Sequence, residues 1–270
     1  MTHTFNNKIS LGQNFLNNPE VTRRCLKEAR LNSADVVLEV GPGQGALTRG
    51  LLQSPCRFVH AVEIDRRLAP WLEPLQAGQP GRFKIFWGDA LVADLRRLLP
   101  PPNKVLANIP YNITTDLIWK ILVELGPRRL ERLILLVQKE AADRLNAPPA
   151  TKERSPLGIT LEQMGAVRTL MKVSPGSFNP PPKVWSALIS IDLTKNFGLA
   201  ASPLWRRLLA AAFAQRRKKL VNNLAAAAGC GKERSAAIFA AAGISLAARA
   251  EELTAPQWRA LYQELAAAEN

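Results

Sequence analysis

The chain has 270 residues, with 36 Lys and Arg against 22 Asp and Glu, a formal charge of +14 at neutral pH. At 47% apolar and 21% charged residues it is neither disordered nor fibrous, and its length suits one large domain or a large one with a smaller companion. The longest run without a charge, Ser235 to Ala248, is too short for a bilayer span of about 20 residues, and the polar start Met1–Leu11 lacks the layout of a secretory leader, so a soluble, cytoplasmic protein is expected.

Between Asp35 and about Leu193, β-branched runs alternate with helical patterns, which predicts a parallel sheet covered by helices. Strands are expected at Val36–Val40, Phe58–Glu63, Phe83–Trp87, Lys104–Asn108 and Leu130–Gln138, and helices near Gln44–Gln53, Arg67–Gln76, Leu91–Leu98 and Thr115–Leu125. A helix over Glu140–Asn146 leads into a Pro-rich connection. The strands Ala166–Val173 and Trp185–Leu193 then close the sheet as an antiparallel hairpin. Beyond Thr194 Ala dominates and helical periodicity takes over, predicting a second, all-helical domain over 195–270 with helices at Pro203–Ala226, Lys232–Ala241 and Pro256–Ala267. The fold class is therefore α/β, a Rossmann-like sheet domain over 1–194 followed by a smaller helical domain.

Cys25, Cys56 and Cys230 are an odd number at wide spacing, and the only histidines are His3 and His60. Neither a zinc site nor a disulfide framework fits, so no metal is expected and the thiols read as small apolar side chains in a reducing compartment. The positive excess points to a polyanion, either a nucleic acid or an anionic membrane surface.

Leu38–Thr48 is a strand running into the glycine-rich turn Gly41-Pro42-Gly43-Gln44-Gly45 and then a helix, a geometry in which backbone approaches a ligand closely. Gly41, Gly43 and Ala46 also satisfy the looser dinucleotide fingerprint, so nicotinamide dinucleotide and S-adenosylmethionine both remain open. Glu63, ending the second strand, can accept hydrogen bonds from both hydroxyls of a ribose. Asp89, ending the third, either reads the amine of an adenine ring or is the N-cap of the helix expected to follow it.

The segment that chooses is Asn108-Ile109-Pro110-Tyr111, at the end of the fourth strand. The amine of adenine is a poor nucleophile because its lone pair is delocalised into the ring. Acceptors on Asn108 and on a carbonyl at Ile109 or Pro110 would localise that pair, and Tyr111 offers a face to an extruded base.

These segments resemble the KsgA/Dim-type small-subunit ribosomal RNA adenine dimethyltransferases, a class I family using S-adenosylmethionine. The resemblance includes Gly12-Gln13-Asn14-Phe15-Leu16, Leu38–Thr48, Ala61–Asp65, Gly88–Leu91, Asn108–Ile113, Val137–Glu140, Phe178–Val184 and Phe213–Leu220. It implies that Asn14 and Leu16 close over the cofactor, that Gly41 touches it through backbone, that Glu63 holds its ribose and Asp89 its adenine amine, and that Asn108 lies between cofactor and target. It further implies that Phe178 stacks on the target adenine opposite Tyr111, Phe178 otherwise being a core aromatic. The chain departs from the family at Ala147-Pro148-Pro149, and Trp185 stands where the family typically has Asp.

Arg206 and Arg207 precede Arg216, Arg217, Lys218 and Lys219 by about three turns, so on one continuous helix both clusters would share a face able to track a phosphate backbone. The expected activity is dimethylation of two adjacent adenosines in a loop near the 3′ end of small-subunit ribosomal RNA. The expected partner is the immature small ribosomal subunit, and nothing demands more than a monomer. The competing readings are a large-subunit RNA methylase, an assembly factor whose enzymatic activity is dispensable, and a dinucleotide oxidoreductase.

Overall fold

Seven strands form the main sheet of the computed structural model, which describes residues 13–128, 130–228 and 232–269. The chain divides into two compact units, one running up to Ala142 and resuming over Val167–Leu193, the other comprising Asp143–Ala166 and the chain from Thr194 onward. The helical unit therefore takes in a segment from within the sheet region, and the chain crosses between units three times rather than once near residue 194.

In the first unit, β2 (Val36–Val40), β3 (Phe58–Glu63), β4 (Phe83–Trp87), β5 (Lys104–Asn108) and β6 (Arg132–Gln138) lie parallel in the order β4-β3-β2-β5-β6. The next strand, β9 (Ser186–Leu193), runs antiparallel to β6, and β7 (Gly165–Val173) lies beyond it. Every residue of β2 is buried, as befits a strand covered on both faces. The strand order reverses between β2 and β5, so the turns leaving these two neighbours face one another at the carboxyl edge, where open α/β sheets bind ligands.

The covering helices are α1 (Pro19–Ala29), α2 (Ala46–Gln53), α3 (Ala69–Ala77) and α4 (Thr114–Leu125). The sequence reading passed over α1, although Asn18 caps its Glu20 N–H, Pro19 opens it, and Val21, Cys25 and Ala29 form its buried stripe. Burial pushes the Cys25 thiol up to about 12, and Cys56 is likewise buried and free, whereas Cys230 and His3 lie outside the described residues. A two-stranded sheet joins β1 (Phe15–Leu16) to β8 (Phe178–Asn179), pairing Leu16 with Phe178.

The helix expected over Leu91–Leu98 is replaced by two local turns. Asp89 Oδ1 accepts from the Leu91 N–H at 2.8 Å, and Asp94 accepts from the Arg96 N–H, leaving only a single 3-10 turn at Leu95–Arg97. Short acidic side chains bonding their own backbone compete with the helical ladder.

At the opposite, amino edge of the sheet sits a buried ion pair. Lys104 Nζ donates to Asp35 Oδ2 and to the Arg30 carbonyl, both at 2.7 Å, while Asn103 Nδ2 donates to Asp35 Oδ1 at 2.8 Å and its Oδ1 accepts the Val36 N–H at 2.9 Å. The end of α1 is thereby tied to the starts of β2 and β5.

The second unit contains α6 (Pro156–Met164), α7 (Pro203–Phe213), α8 (Leu220–Ala228), α9 (Lys232–Ala241) and α10 (Ala255–Glu269), while α5 (Lys139–Leu145) carries the chain out of β6. The segment expected to be a Pro-rich connection thus holds a helix, α6, capped by Ser155 and opened by Pro156. Its Thr160 accepts from the Trp205 indole N–H at 2.9 Å, and Trp205 meets Trp258 and Tyr262 edge-on. The single helix expected over Pro203–Ala226 is broken at 214–219. Asn223 Nδ2 takes the Ala212 and Gln215 carbonyls at the end of α7, and four successive like charges repel one another at helical spacing.

Removing the amine by Lys104→Met leaves the Asp35 carboxylate buried without its counter-charge and is expected to cost about 3–5 kcal/mol of stability. Chemical denaturation would measure this loss, and Asp35→Asn/Lys104→Met should recover most of it.

Candidate active site

At the carboxyl edge of the sheet, the turns after β2, β3, β4 and β5 and the segment 13–15 enclose a cavity of about 240 Å³. Gly41, Gly43 and Gly45 all have positive φ, which carries the chain sharply from β2 into α2. A Cβ at Gly43 would lie 2.8 Å from the Phe15 ring, so only glycine lets the N-terminal segment lie across this turn.

Glu63 is 5% exposed on the cavity wall. Its Oε2 accepts the Gly43 N–H at 3.1 Å and its Oε1 the Asp65 N–H at 2.9 Å, so the carboxylate joins the ends of two adjacent strands. Burial raises its pKa, opposed by those backbone donors. Deeper, Glu39 Oε2 accepts from the Thr48 hydroxyl at 2.8 Å, and burial pushes Glu39 up to about 8. Asp65 differs: the Arg67 guanidinium beside it brings its carboxyl down to about 2, and Gln13 Nε2 donates to its Oδ2 at 2.8 Å. Asp89 lines the cavity, and because no helix follows it, its carboxylate caps a local turn at Leu91 in place of the expected helix N-terminus.

Asn108 Nδ2 donates to the Asn14 carbonyl at 2.8 Å. That bond assigns the amide, because only nitrogen can donate to a carbonyl, and it leaves Oδ1 as the acceptor. Of the two backbone carbonyls considered, Pro110's already receives the Ile113 N–H at 3.2 Å and the Thr114 hydroxyl at 3.3 Å. Ile109's is therefore the acceptor left beside Asn108. Tyr111 lines the cavity, and its hydroxyl is 2.6 Å from Ser186 Oγ at the start of β9, which sets the ring's orientation.

Two expected site residues sit elsewhere. Leu16 is 7% exposed and Phe178 3%; paired across β1 and β8, both side chains join the core, and neither lines the cavity. Strand alternation turns Leu16 away from the side that Phe15 presents. The ring face expected from Phe178 is thus covered in this arrangement, and its alternative as a core aromatic is what the structure displays. Conversely, Gln13, Phe15, Ile64 and Leu91 line the cavity without having been assigned a role; Ile64 is 49% exposed, and that half-exposed apolar side chain beside Glu63 is a signal of a ligand wall.

Asn14, Gly41, Glu63, Asp89, Asn108 and Tyr111 are brought together around one space. Among the described residues its walls hold two carboxylates and neither Lys nor Arg, although the chain as a whole carries +14. A pyrophosphate would be repelled there, whereas a sulfonium nucleoside, with hydroxyls for Glu63 and a flat ring for Ile64 and Leu91, fits the donor set.

The basic residues of the helical unit, Arg206, Arg207, Arg216, Arg217, Lys218 and Lys219, are all exposed, but they do not form one helical face, since the last four occupy the break between α7 and α8. Arg216 is also engaged structurally, donating to the carbonyls of Lys152 at 2.8 Å and Arg154 at 2.7 Å while lying over the Phe213 ring.

Fold and site together define a class I S-adenosylmethionine-dependent methyltransferase. The family described as Ribosomal RNA adenine dimethylase matches residues 4–267, and the chain belongs to that family. Similar proteins include the Ribosomal RNA small subunit methyltransferase A of a Ruegeria species, 37% identical over 98% of this chain and 94% of the relative. That of Parasynechococcus marenigrum is 41% identical over 94% of this chain and 85% of the relative. Among solved structures, a dimethyladenosine transferase from Plasmodium falciparum superposes with a TM-score of 0.78 at 25% identity, covering 94% of this chain and 98% of that one. The 23S rRNA methyltransferase ErmE superposes with a TM-score of 0.68 at 26% identity, covering 94% and 100%.

With its pKa raised from 4.5 to about 8, Glu39 binds a proton more tightly folded than unfolded. Its contribution to stability is therefore complete below about pH 4.5 and is lost as pH rises toward 8. Comparing melting temperatures at pH 5 and pH 8, Glu39→Gln should show a smaller fall than the wild type; equal falls would contradict a buried, protonated Glu39.

Proposed function

We propose that this adenine dimethylase modifies two adjacent adenosines in the loop of the 3′-terminal hairpin of small-subunit ribosomal RNA, on immature small subunits in the cytoplasm. In this reading the protein acts as a monomer. The observation that carries the reading is the acidic cavity opening directly onto Asn108–Tyr111 in a strongly basic protein. The small-subunit activity named for its relatives supports the choice of RNA. Among the described residues no helix is long and apolar enough to cross a membrane.

Bound in the cavity, S-adenosylmethionine supplies an electrophilic methyl group. The backbone at Gly41 and Gly43 and the segment at Asn14 would hold it, with Glu63 accepting from its ribose hydroxyls and Asp89 from its adenine amine. The extruded target base stacks on Tyr111, whose ring Ser186 steadies, and this contact offsets part of the cost of leaving the helical stack. Asn108 Oδ1 and the Ile109 carbonyl accept the two amine hydrogens. They draw the lone pair out of conjugation and aim it along the line of attack, so positioning and fixed dipoles supply the rate and no general base is needed before transfer.

In the helical unit, Arg206, Arg207, Arg217, Lys218 and Lys219 contact RNA phosphates as two separate patches, and Arg216 supports the second of them. Each single-strand phosphate contact adds about −0.7 to the slope of log K against log salt. The variant Arg217→Gln/Lys218→Gln/Lys219→Gln should therefore bind RNA more weakly, with a slope shallower by about 2. An unchanged slope in a filter-binding titration would remove this patch from the interface.

Asn108→Ala should keep affinity for S-adenosylhomocysteine within about threefold while methyl transfer to unmodified small subunits falls by about a hundredfold or more. Radiolabelled transfer followed by mapping of the modified nucleotides tests both residue and substrate. Label appearing on large subunits instead would favour the activity named for ErmE, and wild-type turnover by Asn108→Ala would overturn the mechanism.

A further inference from the structure

The carboxyl edge of the sheet carries a large apolar side chain that the fold leaves in water. Trp185 is 53% exposed, whereas Trp205 and Trp258 are buried and Trp71, Trp87 and Trp119 partly so. Among the described residues its indole makes no hydrogen bond, ring contact or cation contact. Its backbone is nonetheless fixed: the Trp185 carbonyl accepts the Lys139 N–H at 2.9 Å, next to the Gln138–Ser186 pair that closes the β6–β9 ladder. The following residue is Ser186, which holds the Tyr111 hydroxyl. Lys183, two positions earlier, is also exposed.

An exposed indole on an anchored backbone, two positions from an exposed lysine and one from the group that orients the target-stacking tyrosine, has the composition of a single-strand binding platform. We propose that Trp185 stacks on a nucleotide flanking the target adenosine. The role rests on the reading of an RNA substrate given above and adds a residue to it. Extruding an adenosine strips its neighbour of a stacking partner, and an exposed indole one residue from Ser186, at the carboxyl edge of the sheet, replaces that contact. Trp185 lies outside the cavity wall and touches no reacting atom, so it is a positioning residue whose effect falls on RNA capture.

Methyl transfer to unmodified small subunits should show KM for RNA raised about tenfold in Trp185→Ala, with kcat and S-adenosylhomocysteine affinity unchanged. Trp185→Phe, which keeps an aromatic face, should stay within about threefold of the wild type. A hairpin RNA carrying 2-aminopurine beside the target should be quenched on binding the wild type and Trp185→Phe but not Trp185→Ala. A KM for Trp185→Ala within twofold of the wild type, or equal losses in the Ala and Phe variants, would overturn the stacking role while leaving the methylation intact. Failure of the wild type itself to methylate small subunits would sink the substrate reading, and this role with it.

Discussion

The hydrogen bond from Asn108 to the Asn14 carbonyl spans 94 positions of sequence, and the proposed chemistry of the site turns on it. A primary amide has two chemically opposite ends, and without a partner it presents either one to a ligand. By engaging the nitrogen, the N-terminal segment commits the oxygen to the side where an amine must be received. The same segment spans the glycine turn through Phe15 and ties itself to β3 through Gln13 and Asp65, so three contacts on three neighbouring residues hold that carbonyl in place. Strand, glycine turn and N-terminal segment are thus joined, and in the proposed reaction the acceptor is set before substrate arrives, with no reorganisation needed at the moment of transfer.

Charge is segregated between surface and cavity. The chain carries a large positive excess, yet the carboxylates of Glu63 and Asp89 line the site, with Glu39 buried behind the glycine turn. Basic surface draws a polyanion from a distance, while local carboxylates favour a cationic, hydroxyl-bearing ligand within. Glu63 is buried and both of its oxygens accept backbone N–H groups, which fixes its carboxylate against the space it lines.

The aromatic groups divide in a similar way. Tyr111 faces the site, locked from behind by Ser186; Phe178 turns into the core at the β1–β8 pair; Trp185 faces solvent just before the start of β9. All three lie at or near the carboxyl edge of one sheet, and their surroundings rather than their residue types separate a binding face from packing.

The periodicity of the apolar residues located β2 to β5 to the residue, because buried parallel strands are near-continuous β-branched runs bounded by turn residues. Glu63, Asp89 and Asn108 were legible for the same reason, since a ligand at the carboxyl edge is met by whatever ends each strand. Less was legible where backbone hydrogen bonds could be satisfied in more than one way. Asp89 and Asp94 diverted a helical pattern into turns, and Asn223 capped α7 early and split the basic run from its helix. Sequence alone also could not decide which carbonyl beside Asn108 stays open, which end of its amide faces the substrate, or whether Phe178 shows its ring. Those outcomes depend on Thr114, Asn14 and Leu16, whose positions relative to the site exist only once the chain has folded, and burial and hydrogen-bond competition between such distant residues leave no periodic trace in the sequence.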